Sequence, residues 1–282
     1  VNLRNHVLRQ FERYDRMQGN VEPGTLTFVI VGGGPTGVEM AGALVELFDT
    51  LDDDFASFNT REQARCVLLE MQDDLLPPYP QSLQTYTRRV LETRGVEVRT
   101  NTAVERVEED AVHLDDGARI PSQTLVWAAG VKASPVADML GVEQARDGRV
   151  IVNSDLSVPN RPDVFVIGDM AAIKGEDGFE PQLAQVAMQS GRHAVQQIRH
   201  RRAGEETEAF SYRDYGQMAT IGRNAAVAEF AGGFTLKGAV AWLVWVVLHI
   251  AKLVGFRNRL SAFVNWVYNY FTYSRSARLI LD

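Results

Sequence analysis

The chain has 282 residues, 45% of them apolar, so it can bury a sizeable core in one or two domains. Its net charge of −7 speaks against nucleic-acid binding, and its single cysteine, Cys66, cannot build a disulfide, a CxxC redox pair or a thiolate-rich metal site. The five histidines show no ligand spacing, so no metal site is expected. Charge is unevenly spread: six basic residues and one acid follow position 236, against 23 basic and 35 acidic residues before it. An acidic body therefore ends in a basic, apolar tail.

The first residue is Val1, and no signal peptide is expected from the residues that open the sequence. Leu3, Val7, Leu8, Phe11 and Tyr14 fall at helical spacing, which predicts a helix over 1–17 entering from an upstream segment. Residues 26–47, LTFVIVGGGPTGVEMAGALVEL, then give an apolar strand, glycines at 32, 34 and 37, and a small-residue helix. This is the pattern of a dinucleotide-binding turn. Gly32 reverses the chain, Gly34 clears room for a pyrophosphate, and Gly37 lets the helix lie close on its strand. The helix N-terminus offers N–H groups and a positive dipole end to phosphate.

Glu70 closes the next apolar run, Cys66–Leu69, where a carboxylate can accept both ribose hydroxyls and repel a 2′-phosphate. That favours NAD over NADP. The distance from Gly32 to Glu70 exceeds the usual ~20 residues, which places an insertion in the acidic stretch LDDDFASFNTREQ. Further strands and helices are predicted at Gln81–Thr93, Val96–Arg99, Val104–Val107, a hairpin around Asp116-Gly117, and Thr124–Gly130. In that hairpin His113 reads as a solvent-facing strand residue. The order is that of a doubly wound α/β nucleotide domain with an inserted meander. A second strand ending in Gly168-Asp169, followed by a helix opening near Pro181 and running to about His200, suggests part of a second nucleotide fold.

Residues 239–254 are nearly all apolar but short of the ~20 needed to span a bilayer. From Leu260, an apolar stripe of Leu260, Phe263, Val264, Val267 and Phe271 opposes Asn258, Ser261, Asn265 and Asn269. Trp242, Trp245, Trp266, Tyr268 and Tyr270, with Arg257, Arg259, Arg275 and Arg278, suit a headgroup layer. Two amphipathic helices lying in one leaflet of a lipid bilayer surface, joined at Gly255–Arg259, are expected. The same faces could serve a homodimer, and the two roles can coexist.

The series VGGGPTGVEMAG, WAAGV, DVFVIGDMA, AQVAMQSG and YGQMATIGR resembles type II NADH dehydrogenase, the single-subunit NADH:quinone oxidoreductase of respiratory membranes. The resemblance implies four segments: a linker helix over 1–24, an NADH-binding Rossmann domain over 25–134, the closing half of an FAD-binding domain over 135–235, and membrane-associating helices over 236–282. It also implies that the family's first glycine fingerprint lies upstream of this chain. Gly32, Gly33, Gly34, Pro35, Thr36, Gly37 and Glu70 would bind NADH, with Ala129 and Gly130 letting it approach. Gly168, Asp169 and Ala184 would meet FAD, Asp169 through the ribitol. Glu39 would sit near nicotinamide and flavin, and Gln185 and Gln189, four apart on one helix face, would line the flavin's quinone side. The residues alone also allow Glu39 to satisfy backbone N–H groups and the glutamines to cover a loop. The implied reaction passes electrons from NADH through FAD to a membrane quinone, at the cytoplasmic side of the cell membrane, by a peripheral protein. The alternatives are a flavoprotein that reduces a soluble protein acceptor and an NADH-binding fragment that is inactive without the rest of the flavin site.

Overall fold

The computed structural model describes residues 2–52, 54–55, 57–176, 178–253 and 255–272. Val1, Val254, Arg275, Arg278 and Asp282, and the side chains of Asn269, Tyr270 and Phe271, lie outside it. The chain forms two compact units, residues 1–129 with 216–282, and residues 130–215.

In the first unit, α1 (Asn2–Arg16) precedes β1 (Thr27–Val31), α2 (Pro35–Leu51), the short α3 (Thr60–Gln63) and β2 (Arg65–Leu69). The insertion read from the sequence is thus the end of α2, α3 and the turns between them. Next come α4 (Gln81–Thr93), β3 (Val96–Arg99), the antiparallel meander β4 (Val104–Val107), β5 (Ala111–Leu114) and β6 (Arg119–Pro121), and then β7 (Thr124–Trp127). A parallel sheet of order β3-β2-β1-β7 results. Its strands are short and built of Val, Ile and Leu because both faces are covered. His113 on β5 is half-buried and pairs with Glu108 at 2.9 Å.

One face carries the larger core. Val7, Leu8 and Phe11 of α1 are buried there, with Phe11 6.0 Å from Phe28 and Phe28 5.2 Å from Phe48, ring centre to ring centre. The helix read as leading in from upstream is therefore part of this unit's interior, because its apolar stripe has a ring cluster to fill. The other face packs Val29, Val31, Val67 and Leu69 against Val112, Leu114 and Ile120 of the meander.

The second unit is built of short elements: α5 (Val136–Met139), β8 (Val150–Ile151), β9 (Ser157–Val158), β10 (Arg161–Phe165), β11 (Ala171–Ala172) and the long α6 (Ala184–Ala203). β8 pairs β11 in parallel and β9 pairs β10 antiparallel. Val150, Leu156, Val158, Val166, Ile173 and Val186 form its core.

The chain then returns to the first unit as β12 (Gly216–Gly222), β13 (Ala225–Phe230) and β14 (Thr235–Lys237), an antiparallel sheet laid on α2. The sequence groups residues 216–235 with those from 135 onward. In the fold they pack on α2 because Gly42 has no side chain: a Cβ there would lie 2.5 Å from the Ile221 carbonyl oxygen. The ion pair of Arg94 with Glu46, and the Arg223 N–H donated to the same carboxylate, fasten the contact.

Last come α7 (Ala239–Lys252) and α8 (Phe256–Thr272). Of the expected joint only Gly255, at φ +85°, lies before α8, so residues 256–259 are already helical. Ala241 packs with Ala226 and Ala228 of β13, and Val246 is also buried. Val240, Leu243 and Val247 point out, as do Leu260, Phe263 and Val264 of α8. Among the described residues no helix is long and apolar enough to cross a membrane.

Candidate nucleotide site

All four strands of the parallel sheet end on one edge, and β1 sits where the order reverses, between β2 and β7. Ligands of open α/β sheets bind at the carboxyl ends of strands at such a point. The turn there is fixed by sterics. Gly32 has φ +109°, and a Cβ on it would lie 2.7 Å from the Ala128 carbonyl oxygen, while one on Gly37 would lie 1.8 Å from the Gly32 carbonyl oxygen. Gly34 is different: nothing lies within 4 Å of where its Cβ would stand, and its φ of −70° suits any residue. The fold itself does not require glycine at this position. Pro35 at the first position of α2 and Thr36 after it are exposed, so the helix presents its N-terminal turn to solvent.

Glu70 follows β2 and is only 7% exposed. Its carboxylate accepts the Gly33 N–H at 2.6 Å and the Gln72 N–H at 2.8 Å. The acid is thus the clamp that shapes the glycine turn, a role the spacing did not reveal, and a ribose would have to share its remaining lone pairs. The loop after it completes the clamp, since the Leu76 N–H donates to the Gly33 carbonyl at 2.8 Å. Ala129 and Gly130 lie exposed just beyond β7, Gly130 with φ +93°, and Trp127 at the end of β7 is 59% exposed.

Glu39, one turn into α2, accepts the Thr220 N–H at 3.1 Å and the Thr220 hydroxyl at 3.3 Å through the same oxygen, Oε1. It ties β12 to the helix and does not cap the first turn of α2.

In the second unit Gly168 has φ +60° and donates its N–H to the Ser190 hydroxyl at 3.1 Å. Gln182 donates to the Asp169 carbonyl at 2.8 Å, while the exposed Asp169 carboxylate makes no hydrogen bond among the described residues. Ala184 is the exposed first residue of α6. Gln189 pairs with both backbone groups of Arg213, accepting at 3.0 Å and donating at 2.9 Å, and Gln185 accepts the Tyr215 N–H at 3.3 Å. The two glutamines share a helix face as the spacing predicts, and here that face holds down the 213–215 segment. Ser190 and Gln182, which carry the turn, escape notice in the sequence because a lone Ser or Gln has no spacing signal.

The sole cysteine, Cys66, is buried in β2, and burial pushes its thiol up to about 12, so it is an inert core group. Among the described residues no cluster of His, Cys, Asp and Glu could hold a metal.

Residues 2–191 match the pyridine nucleotide-disulphide oxidoreductase family, and residues 215–275 match the NDH2 C-terminal domain. The type II NADH:quinone oxidoreductase Ndh of Mycobacterium tuberculosis is 37% identical, covering 100% of this chain and 62% of its own length. The type II NADH:quinone oxidoreductase NdhA of the same organism is 41% identical over 94% of this chain and 58% of its own length. The chain thus spans about six tenths of these curated relatives. The structure of NDH2 from Plasmodium falciparum in complex with NADH covers 100% of this chain and 72% of its own, with TM-score 0.86 at 17% identity, a likeness of fold. The chain belongs to the pyridine nucleotide-disulphide oxidoreductase family, and type II NADH:quinone oxidoreductases are among its relatives.

Proposed function

We propose that the intact protein transfers electrons from NADH to a membrane quinone through FAD. The observation that carries this reading is the glycine turn after β1, where Gly34 alone is glycine without a reason in the fold. A diphosphate beside the N-terminus of α2 supplies that reason: the backbone must come close, and the helix end favours negative charge. Glu70 holds the loop in shape and turns its carboxylate against a 2′-phosphate, which supports NADH over NADPH. In the second unit the exposed Asp169 carboxylate and the Gly168 turn fit the polyol end of a flavin, with Ala184 at the start of α6 beside that role. Gln185 and Gln189 stand on the same helix, with Glu39 in the first unit as the further polar group of the reaction. When bound, FAD supplies the two-electron carrier between the two substrates, and the protein supplies orientation and exclusion of water.

The apolar stripes of α7 and α8 support attachment to the bilayer surface from the cytoplasmic side, where a quinone headgroup could be reached without crossing water. α7 has a second duty, since it also covers β13. A deletion from residue 236 would strip β14 and expose that sheet, so the anchor is better tested by Leu243→Glu with Val247→Glu. Liposome flotation should fall at least tenfold with folding unchanged; unchanged flotation would contradict the anchor. A homodimer through α8 would show as a doubled mass in detergent.

The reaction is tested on the intact protein by absorbance. A bound flavin should bleach on anaerobic addition of NADH and recover on addition of a quinone. Lack of flavin would leave an NADH-binding protein only, and recovery with a soluble protein acceptor but not with quinone would overturn the assignment of the acceptor.

A further inference from the structure

Residues 205–215 leave the end of α6 as irregular backbone and run back along one face of that helix. The face carries Gln185, Gln189, His193 and Gln197, each a helical turn above the last. Two of its contacts are built alike. Gln189 accepts the Arg213 N–H and donates to the Arg213 carbonyl. Further along, two side chains share the same task for Glu208: Gln197 accepts its N–H at 2.7 Å, and His193 Nε2 donates to its carbonyl at 3.1 Å. Each pincer gives one residue of the strap the pair of bonds that a neighbouring strand would give it.

The pincer on Glu208 fixes the histidine. A carbonyl can only accept, so Nε2 bears the hydrogen, and Nδ1 keeps its lone pair and accepts the Gln197 amide at 3.4 Å. Gln197 is fully buried and cannot turn away without leaving its amide unpaired. The His193 ring meets Phe210 edge-on, 5.4 Å between centres. Phe210 in turn packs on the core of the second unit and donates its N–H to the Ser154 carbonyl at 2.8 Å.

The strap has little slack. About 18 Å of helix separate Gln185 from Gln197, and the run from Glu208 to Tyr215 reaches at most ~25 Å when fully drawn out. Where Glu208 is gripped therefore decides which backbone groups arrive at Gln189 and Gln185, the latter of which accepts the Tyr215 N–H.

We propose that His193 is a positioning residue for Gln189 and Gln185: with Gln197 it grips Glu208, sets the register of the strap on α6, and so fixes the two glutamine amides through Arg213 and Tyr215. The coupling along the strap stands on the hydrogen bonds alone, and only its consequence for turnover rests on the function proposed above.

Amide hydrogen exchange in the intact protein reads the coupling. His193→Leu removes the donor and keeps the bulk. It should speed exchange of the Arg213 N–H at least tenfold, although the two residues share no hydrogen bond among the described residues, while the Ala194 N–H in the middle of α6 keeps its rate. His193→Gln, whose amide can donate to the same carbonyl, should restore the native rate at Arg213. An unchanged Arg213 rate in His193→Leu would make the tie at Glu208 a local one and overturn the proposal. Equal acceleration at Ala194 would overturn it too, as a general loosening of the unit. Coupling is reciprocal, so Gln189→Leu should speed the Glu208 N–H by a similar factor, and an unchanged Glu208 rate there would overturn the proposal whether or not His193→Leu folds. With the glutamines on the quinone side, His193→Leu should also raise KM for a short-chain quinone about fivefold or more and leave the rate of flavin bleaching by NADH as it is. Coupled exchange with an unchanged quinone KM would keep the strap and refute the quinone role given to the two glutamines.

Discussion

The molecule contains two strand–turn–helix junctions built around glycine, and they are held by different means. In the first unit, the turn after β1 is walled by backbone: Cβ atoms on Gly32 and Gly37 would stand 2.7 Å and 1.8 Å from carbonyl oxygens. In the second, the nearest atom to a Cβ on Gly168 is the Ala187 methyl at 3.2 Å, and the turn is held by the Gly168 N–H donated to the Ser190 hydroxyl and by the Gln182 amide donated to the Asp169 carbonyl. Backbone walls cannot give way, whereas hydrogen bonds can be replaced or lengthened. Sterics thus make the first turn an all-or-none feature, while the second is a sum of small terms.

The comparison breaks most visibly at Gly37. Gly37→Ala should abolish folding of the first unit or lower its stability by several kcal/mol, since the methyl overlaps a carbonyl that forms part of the turn itself; circular dichroism of the variant checks this. Glu70→Gln comes next. One of the two N–H groups, of Gly33 or Gln72, would then face an amide NH₂, which costs about 1.5–3 kcal/mol for a lost charged hydrogen bond. Denaturant melts should show the loss, and NADH affinity should fall with it. Ser190→Ala should cost the second turn only about 1 kcal/mol, read from the same melts. A Ser190→Ala loss as large as that of Gly37→Ala would remove the distinction between the two junctions.

The first turn was legible in the sequence for the reason it is rigid. Sterics that admit only glycine leave glycines at fixed spacing, and the apolar runs before Gly32 and Glu70 mark the strands that carry them. The parallel sheet, its meander and the bounds of α4, β3 and β4 follow from periodicity and from turn residues in the same way. The second turn left only Gly168-Asp169 to be noticed, because a lone hydroxyl acceptor and a lone amide donor carry no periodic signature. Two further features lay beyond local pattern. That β12 to β14 pack on α2 depends on Gly42 meeting Ile221, a contact between residues nearly 180 positions apart. Glu70 reads as a ribose acid by its place after a strand, yet its hydrogen bonds to Gly33 and Gln72 emerge only once the loop has folded back. The tail shows the same limit: its stripes announced amphipathic helices, but only the fold shows that α7 is shared between β13 and the outside.

Gly34 separates the demands of the fold from those of a ligand, since its φ of −70° and the open space at its Cβ position let the fold accept a side chain there. Titrating NADH calorimetrically into the intact protein and its Gly34→Val variant, with melting curves of both, tests the nucleotide site most directly. The variant should keep its Tm and bind NADH more weakly by on the order of a hundredfold, close to 3 kcal/mol. Equal affinity in the two proteins would contradict a nucleotide site at this turn.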